Sequence, residues 1–292
     1  MITDFEYAYS KSNNTLRITK YIGESLDVEI PSHVPYNGQD VPVVSFDTNA
    51  FKGLYIKSII IPNTIKTIPE SAFENCFDLE KVVLPEGLEE IGMLAFFYNN
   101  ALEDINFPST LKHIGDYAFF HCQKLAKIVI PEGVTELGSN TFNGCLYCKE
   151  IVLHDGITKL GKGAFASCED TKHINIPKNI KVLNAVFAGC VNLQELNLPQ
   201  GLEVIGFYAF DTCKYIKNVV VPNSVHTIDQ QAFSRCDSLE TITIPNSVKT
   251  IGENVFKESP NLKEIIYLGT KEEFDAIDFK DKDQYINLVK FN

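Results

Sequence analysis

The chain has 292 residues, with 38 acidic against 26 basic side chains and a formal net charge of −12. That negative surplus argues against a general nucleic-acid binder, because phosphate contacts need Lys and Arg in excess. Hydrophobic residues at 45% and charged residues at 22% suit a folded globular chain, and no run approaches the roughly 18 apolar residues that span a bilayer.

In chain order, residues 4–30 read as short strands. Phe5, Tyr7 and Tyr9 alternate, Ser12-Asn13-Asn14 supplies a turn, and Leu16 and Ile18 alternate again. Residues 1–30 are therefore expected to form a β-rich N-terminal cap. Met1-Ile2-Thr3-Asp4-Phe5 lacks the basic stretch and apolar core of a signal peptide. Two localisations follow: cytoplasmic if the chain is full length, cell surface or secreted if it is a mature or trimmed form. Pro35-Tyr36-Asn37-Gly38-Gln39-Asp40 reads as a loop inserted in an irregular first repeat.

From there the chain is periodic. Phenylalanine, usually preceded by alanine, recurs at Phe51, Phe73, Phe96, Phe119, Phe142, Phe165, Phe187, Phe210, Phe233 and Phe256, in steps of 22 or 23 residues. Proline keeps the same phase at Pro62, Pro85, Pro108, Pro131, Pro177, Pro199, Pro222 and Pro245, with His154 in the vacant slot. Cysteine follows the phenylalanine by three at Cys76, Cys122, Cys145, Cys168, Cys190, Cys213 and Cys236, with Asn99 and Ser259 substituting. Such a period marks a solenoid, in which each unit buries its apolar face against its neighbours. Residues 31–268 are assigned to it, as about ten repeats with a parallel sheet.

Within the unit from Leu79 to Asn100, Leu79, Val82 and Leu84 are spaced as in the strand of a leucine-rich repeat. Alternation turns Val82 and Leu84 inward and Lys81 and Val83 outward. Pro85 ends the strand, since it cannot donate to a ladder. Leu88 and Ile91 return to the interior, Gly92 is read as permitting a tight or left-handed backbone, and Ala95-Phe96 is expected to begin a short helical turn. About six apolar side chains per unit, at roughly 1.5–3 kcal/mol each, favour stacking. The in-phase cysteines should form a ladder of buried free thiols. Equivalent residues in stacked strands stand about 4.8 Å apart with parallel Cβ bonds, the wrong geometry for disulfides. Cys148, with Cys145, makes a lone Cys-x-x-Cys, a weak redox or metal signal.

The combination Leu-x-x-Ile-x-Ile-Pro followed by Val-x-x-Ile-Gly-x-x-Ala-Phe-x-x-Cys, clearest from Leu125 to Cys145, resembles the BspA-like leucine-rich repeat family across about residues 24–277. The resemblance implies an α/β repeat solenoid, a right-handed leucine-rich repeat superhelix. It also implies a mostly bacterial or protozoan and often cell-surface setting, with adhesion to host proteins in some members. His154 and the shortened stretch Leu183-Asn184-Ala185-Val186-Phe187 depart from the pattern. Residues 269–292 form the C-terminal helical cap and tail. Thr270 and Glu273 suit a capping box, with Phe274 and Ile277 on the apolar face.

No catalytic constellation is found, and no cofactor or metal is expected. Gly156-Ile157-Thr158-Lys159-Leu160-Gly161-Lys162-Gly163 approaches a phosphate-binding loop, but Gly163 stands where Ser or Thr must hold magnesium. His33, His113, His121, His154, His173 and His226 show no metal-ligand spacing. Binding is expected on the outward strand positions: Lys81, Asp104, Lys127, Glu150, His173, Glu195 and Asn218 in one column, Val83, Asn106, Val129, Val152, Asn175, Asn197 and Val220 in a second. Loops or caps, or no surface at all, are the alternatives, since Val and Thr suit any exposed strand and neither column carries a cluster of Trp, Tyr or Arg anchors. The reading is a non-enzymatic protein-binding module of a bacterial surface, with an intracellular scaffold as the rival. An enzyme or carbohydrate-binding protein finds no positive support.

Overall fold

The computed structural model describes residues 4–291; Met1-Ile2-Thr3, which enter the signal-peptide and cap readings, and Asn292 lie outside them. The chain divides into two compact units, Met1–Leu146 and Tyr147–Asn292. Both are stretches of parallel-strand solenoid.

The first unit opens with a four-stranded sheet. Phe5–Ser10 runs antiparallel to Thr15–Tyr21, which lies parallel to Gln39–Phe46. His33–Tyr36 closes an antiparallel hairpin with Gln39–Phe46. The stretch expected as a loop at Pro35–Asp40 is the tip of that hairpin. Asn37 and Gly38 take φ values of 49° and 78°, the left-handed pair a two-residue hairpin turn demands. Next comes a parallel sheet of Asp27–Glu29, Ser58–Ile60, Lys81–Val83 and Asp104–Ile105. A second ladder, which sequence reading missed, joins Thr67–Ile68, Glu90–Ile91 and His113–Ile114.

The turn through each phenylalanine is not helical. Ser71 and Asn75 flank Phe73 with φ of 53° and 62°, and Leu94 and Tyr98 flank Phe96 at 57° and 58°, values a right-handed helix cannot contain. The N–H groups alternate in direction. Ser71, Phe73 and Asn75 donate to Met93, Ala95 and Phe97 of the next coil at 3.0, 2.8 and 2.8 Å. Ala72, Glu74 and Cys76 close local turns onto Pro69, Ser71 and Phe73. Every backbone donor of this stretch is thereby satisfied without a helix. Gly92 is also not left-handed; a Cβ there would lie 2.8 Å from Glu70 N, so close approach of the neighbouring coil explains it.

Rings from successive coils stack at the centre. Phe51, Phe73, Phe96, Phe119 and Phe142 follow one another at 5.0, 5.1, 5.1 and 5.2 Å, all buried. Stacked aromatic pairs add about 0.5–1.5 kcal/mol each beyond their burial.

The second unit repeats the scheme. His173–Asn175 pairs with Glu195–Asn197, and Asn218–Val220, Thr241–Pro245, Glu264–Leu268 and Val289–Phe291 form a further parallel sheet. The second ladder has five strands from Val182–Leu183 to Asp278–Phe279. Phe165, Phe187, Phe210, Phe233 and Phe256 stack at 6.2, 5.8, 5.5 and 6.4 Å. His154 turns the chain in place of proline: its carbonyl accepts from Ile157 N at 3.2 Å, as Pro85 O does from Leu88 N. Among the described residues α-helix is confined to Lys271–Asp275 and Lys282–Tyr285. Lys271–Asp275 starts with the expected capping box, Thr270 Oγ1 accepting from Glu273 N and Glu273 Oε2 from Thr270 N. Phe274 and Ile277 are buried beneath it.

Candidate functional site: the outward strand face

The alternation that buries Val82, Ile128, Ile151, Ile174, Leu196 and Val219 exposes their neighbours. In the first unit Lys81 and Asp104 stand opposite each other in register. Val83 projects beside Ile60, both exposed. Asn106 is exposed just beyond the end of Asp104–Ile105. Lys127 and Val129 are the exposed ends of their strand. In the second unit Glu150 and Val152 are likewise exposed. His173 faces Glu195, and Asn175 faces Asn197. The His173 Nδ1–Glu195 Oε2 approach is 3.6 Å between two exposed groups, a geometry that contributes little. Asn218 accepts from Thr241 Oγ1 at 2.7 Å, and Val220 is 67% exposed.

A cleft of about 980 Å³ opens on the second unit's face. Four of the sequence-derived residues line it, Glu195, Asn197, Asn218 and Val220, together with Gln194, Gln200, Tyr215 and Lys217. These last were missed because they flank the strands instead of lying in the outward columns. Tyr215 had a readable signal: it precedes Ile216 at the repeat position that Tyr147 also occupies, and both are more than half exposed.

The first unit carries a second feature that sequence reading passed over. Phe97 stacks on Phe120 at 5.1 Å, and Tyr98 on His121 at 4.9 Å. These rings sit one and two residues after the core phenylalanines, on the turn side. Burial lowers the His121 pKa, and its Nδ1 has no hydrogen-bond partner.

All eight cysteines are free and buried. Burial pushes the Cys76 and Cys148 thiols up to about 12 and raises Cys122, Cys190, Cys213 and Cys236 as well. Such thiols are poor nucleophiles. Their place in the fold is structural and more specific than apolar filling. Cys76, Cys122 and Cys213 Sγ donate to the carbonyls of Phe51, Phe96 and Phe187 in the preceding coil at 3.1, 3.2 and 3.3 Å. Asn99 Nδ2 and Ser259 Oγ do the same to Phe73 and Phe233, each at 2.9 Å. The slot takes a small donor, which is why Asn and Ser replace Cys there.

Among the described residues no three His, Cys, Asp or Glu side chains converge as metal ligands. The near phosphate-binding loop is ordinary repeat structure: Lys159–Leu160 is a strand, and Lys162 lies over the Phe207 ring at 4.9 Å. No helix among the described residues is long and apolar enough to cross a membrane.

Residues 44–172 and 163–286 match the BspA type leucine rich repeat region, in six copies. A crystal structure of a leucine-rich repeat protein from Bacteroides ovatus is 33% identical with a TM-score of 0.85, over 91% of this chain and 70% of that one. A leucine rich cell surface protein from Faecalibacterium prausnitzii shares the fold at 22% identity and a TM-score of 0.53, over 95% and 97% of the two chains. So does a leucine-rich repeat protein from Eubacterium ventriosum, at 20% identity and 0.56, over 92% and 71%. No curated protein matches. By repeat pattern, fold and this identity, the chain belongs to the BspA-type leucine-rich repeat family.

Proposed function

We propose that the chain is a non-enzymatic module that binds protein partners through the outward side chains of its parallel strands, displayed at a bacterial cell surface. The observation that supports it is the exposed phase of those strands. Val83, Val129, Val152 and Val220 stand in water beside exposed polar neighbours, and the backbones of Val83 and Val220 are held in ladder register with Ile60 and Thr243. A surface so fixed loses little entropy on binding. Surface display is likewise the placement of the Faecalibacterium protein.

Two double variants test the face: Lys81→Ala with Asp104→Ala in the first unit, and His173→Ala with Glu195→Ala in the second. At least one should reduce capture of a partner from host or self extracts about tenfold, equivalent to 1.4 kcal/mol, with the thermal midpoint unchanged. Full capture by both refutes the face. A second reading, an intracellular scaffold, is favoured by the eight free thiols. Protease shaving of intact cells separates the two: peptides of this chain released before lysis support display, and release only after lysis supports the scaffold.

A further inference from the structure

On its exposed side the second unit's sheet is not continuous, and one of its partings carries a cleft. Glu195–Asn197 pairs with His173–Asn175, and Asn218–Val220 with Thr241–Pro245, but no ladder joins Glu195–Asn197 to Asn218–Val220. The flanking bonds that close later gaps, Glu240 N to Lys217 O at 2.8 Å and Lys263 N to Glu240 O at 2.9 Å, have no counterpart from Lys217 N to Gln194 O. The same coils stay joined on either side of the parting. Before it, Phe187 N and Gly189 N donate to Ala209 O and Asp211 O at 3.1 and 2.7 Å. After it, Val204 and Ile205 pair with Thr227 and Ile228.

The cleft lies over this opening. Along it runs the strand Glu195–Asn197, about 10 Å at roughly 3.3 Å per residue, with Gln194 and Gln200 lining the cleft beyond the strand's two ends. Four carboxamides, Gln194, Asn197, Gln200 and Asn218, line it with the exposed Tyr215 ring and Val220. Glu195 and Lys217 offset each other in charge. Carboxamides offer donor and acceptor together, as a peptide group does, and unpaired strand edges add backbone donors and acceptors.

We infer that this cleft binds an extended, uncharged segment of the partner polypeptide, recognised chiefly through its main chain. The inference rests on the protein-binding reading above and names the kind of segment bound. Neither a phosphate nor an acidic peptide suits a lining whose single cation is matched by an anion. An oligosaccharide would share the hydroxyl-to-amide chemistry, but the open ladder beside Glu195–Asn197 favours a polypeptide.

The test pans a displayed library of random octapeptides against the full chain, then measures enriched peptides by fluorescence anisotropy beside cellohexaose and maltohexaose. Expected are uncharged sequences whose affinity varies little with salt. Affinity should fall about tenfold when alternate backbone amides of the peptide are N-methylated, and again in the Asn197→Ala, Asn218→Ala double variant. Both substituted residues are exposed, and circular dichroism checks that the variant folds. An empty library, N-methylated peptides that bind equally, or saturation by the sugars alone overturns the inference. If Lys81→Ala with Asp104→Ala, or His173→Ala with Glu195→Ala, still reduces capture of folded partners about tenfold while no peptide binds, the protein-binding reading stands and only the cleft assignment fails.

Discussion

Asn99 stands where the neighbouring repeats place cysteine, and the structure predicts that cysteine serves better there. Its Nδ2 donates to Phe73 O at 2.9 Å, but its Oδ1 is buried without a partner. An orphaned buried acceptor costs about 1–3 kcal/mol. Asn99→Cys removes it and substitutes the weaker thiol donor that Cys76 and Cys122 supply at 3.1 and 3.2 Å, giving up about 0.5–1 kcal/mol. The small loss of volume costs less than about 1 kcal/mol. The net expectation is a gain of about 1 kcal/mol. Asn99→Ala also removes the orphan, but it leaves Phe73 O with only Cys76 N at 3.4 Å and opens a larger void. It should fall about 1–2 kcal/mol below the cysteine variant. Urea unfolding of the full chain under reducing conditions, followed by circular dichroism, measures both. A cysteine variant less stable than the parent, or an alanine variant equal to it, refutes the donor-slot reasoning.

Alkaline conditions should destabilise the fold through the same slot. Because burial raises Cys76 from 9.0 to about 12, the native thiol keeps a proton that the unfolded one releases. Its contribution is full below about pH 9 and lost as pH rises toward 12, at about 1.4 kcal/mol per pH unit; the other raised thiols add to the slope that urea unfolding shows, and Cys76→Ser should reduce it by about 1.4 kcal/mol per pH unit. Phe119→Ala, which removes a ring stacked at 5.1 and 5.2 Å on its two neighbours, should cost about 3–5 kcal/mol by the same assay. Gly115→Ala places a Cβ 2.7 Å from Met93 N and should cost about 1–3 kcal/mol, since backbone must shift to admit it. Arg235→Ala leaves Asp211, whose side chain is 8% exposed, without its guanidinium partner; a loss of about 1–2 kcal/mol is expected, largely restored by adding Asp211→Asn.

The inward positions were legible because stacking forces them to repeat: the phenylalanine, cysteine and proline phases are the core written into sequence. The second ladder was hidden by its length, since a two-residue strand such as Glu90–Ile91 shows no alternation to read. The turn around each phenylalanine was misread because Ala-Phe followed by polar residues also suits a helix. Left-handed positions held by Leu94, Tyr98 and Tyr117 carry no Gly or Asn signal. Their conformation is imposed by bonds to the next coil, which a single repeat cannot reveal. On the outward face the sequence named Glu195, Asn197, Asn218 and Val220 one by one. Their shared cleft depends on a missing ladder, and no residue type marks an absent hydrogen bond.

That missing ladder is tolerated for an identifiable reason. Phe187 and Phe210 still stack at 5.8 Å and 16° beneath the opening, and Cys213 still donates to Phe187 O. The apolar contacts that hold these coils together are thus intact, and only backbone groups at the solvent face go unpaired. Water can satisfy such groups at little net loss, because an exposed hydrogen bond contributes only about 0.5–1.5 kcal/mol. A solenoid can therefore open its outer sheet locally without weakening its core. An opening of that kind becomes a recognition element when an incoming chain replaces the water.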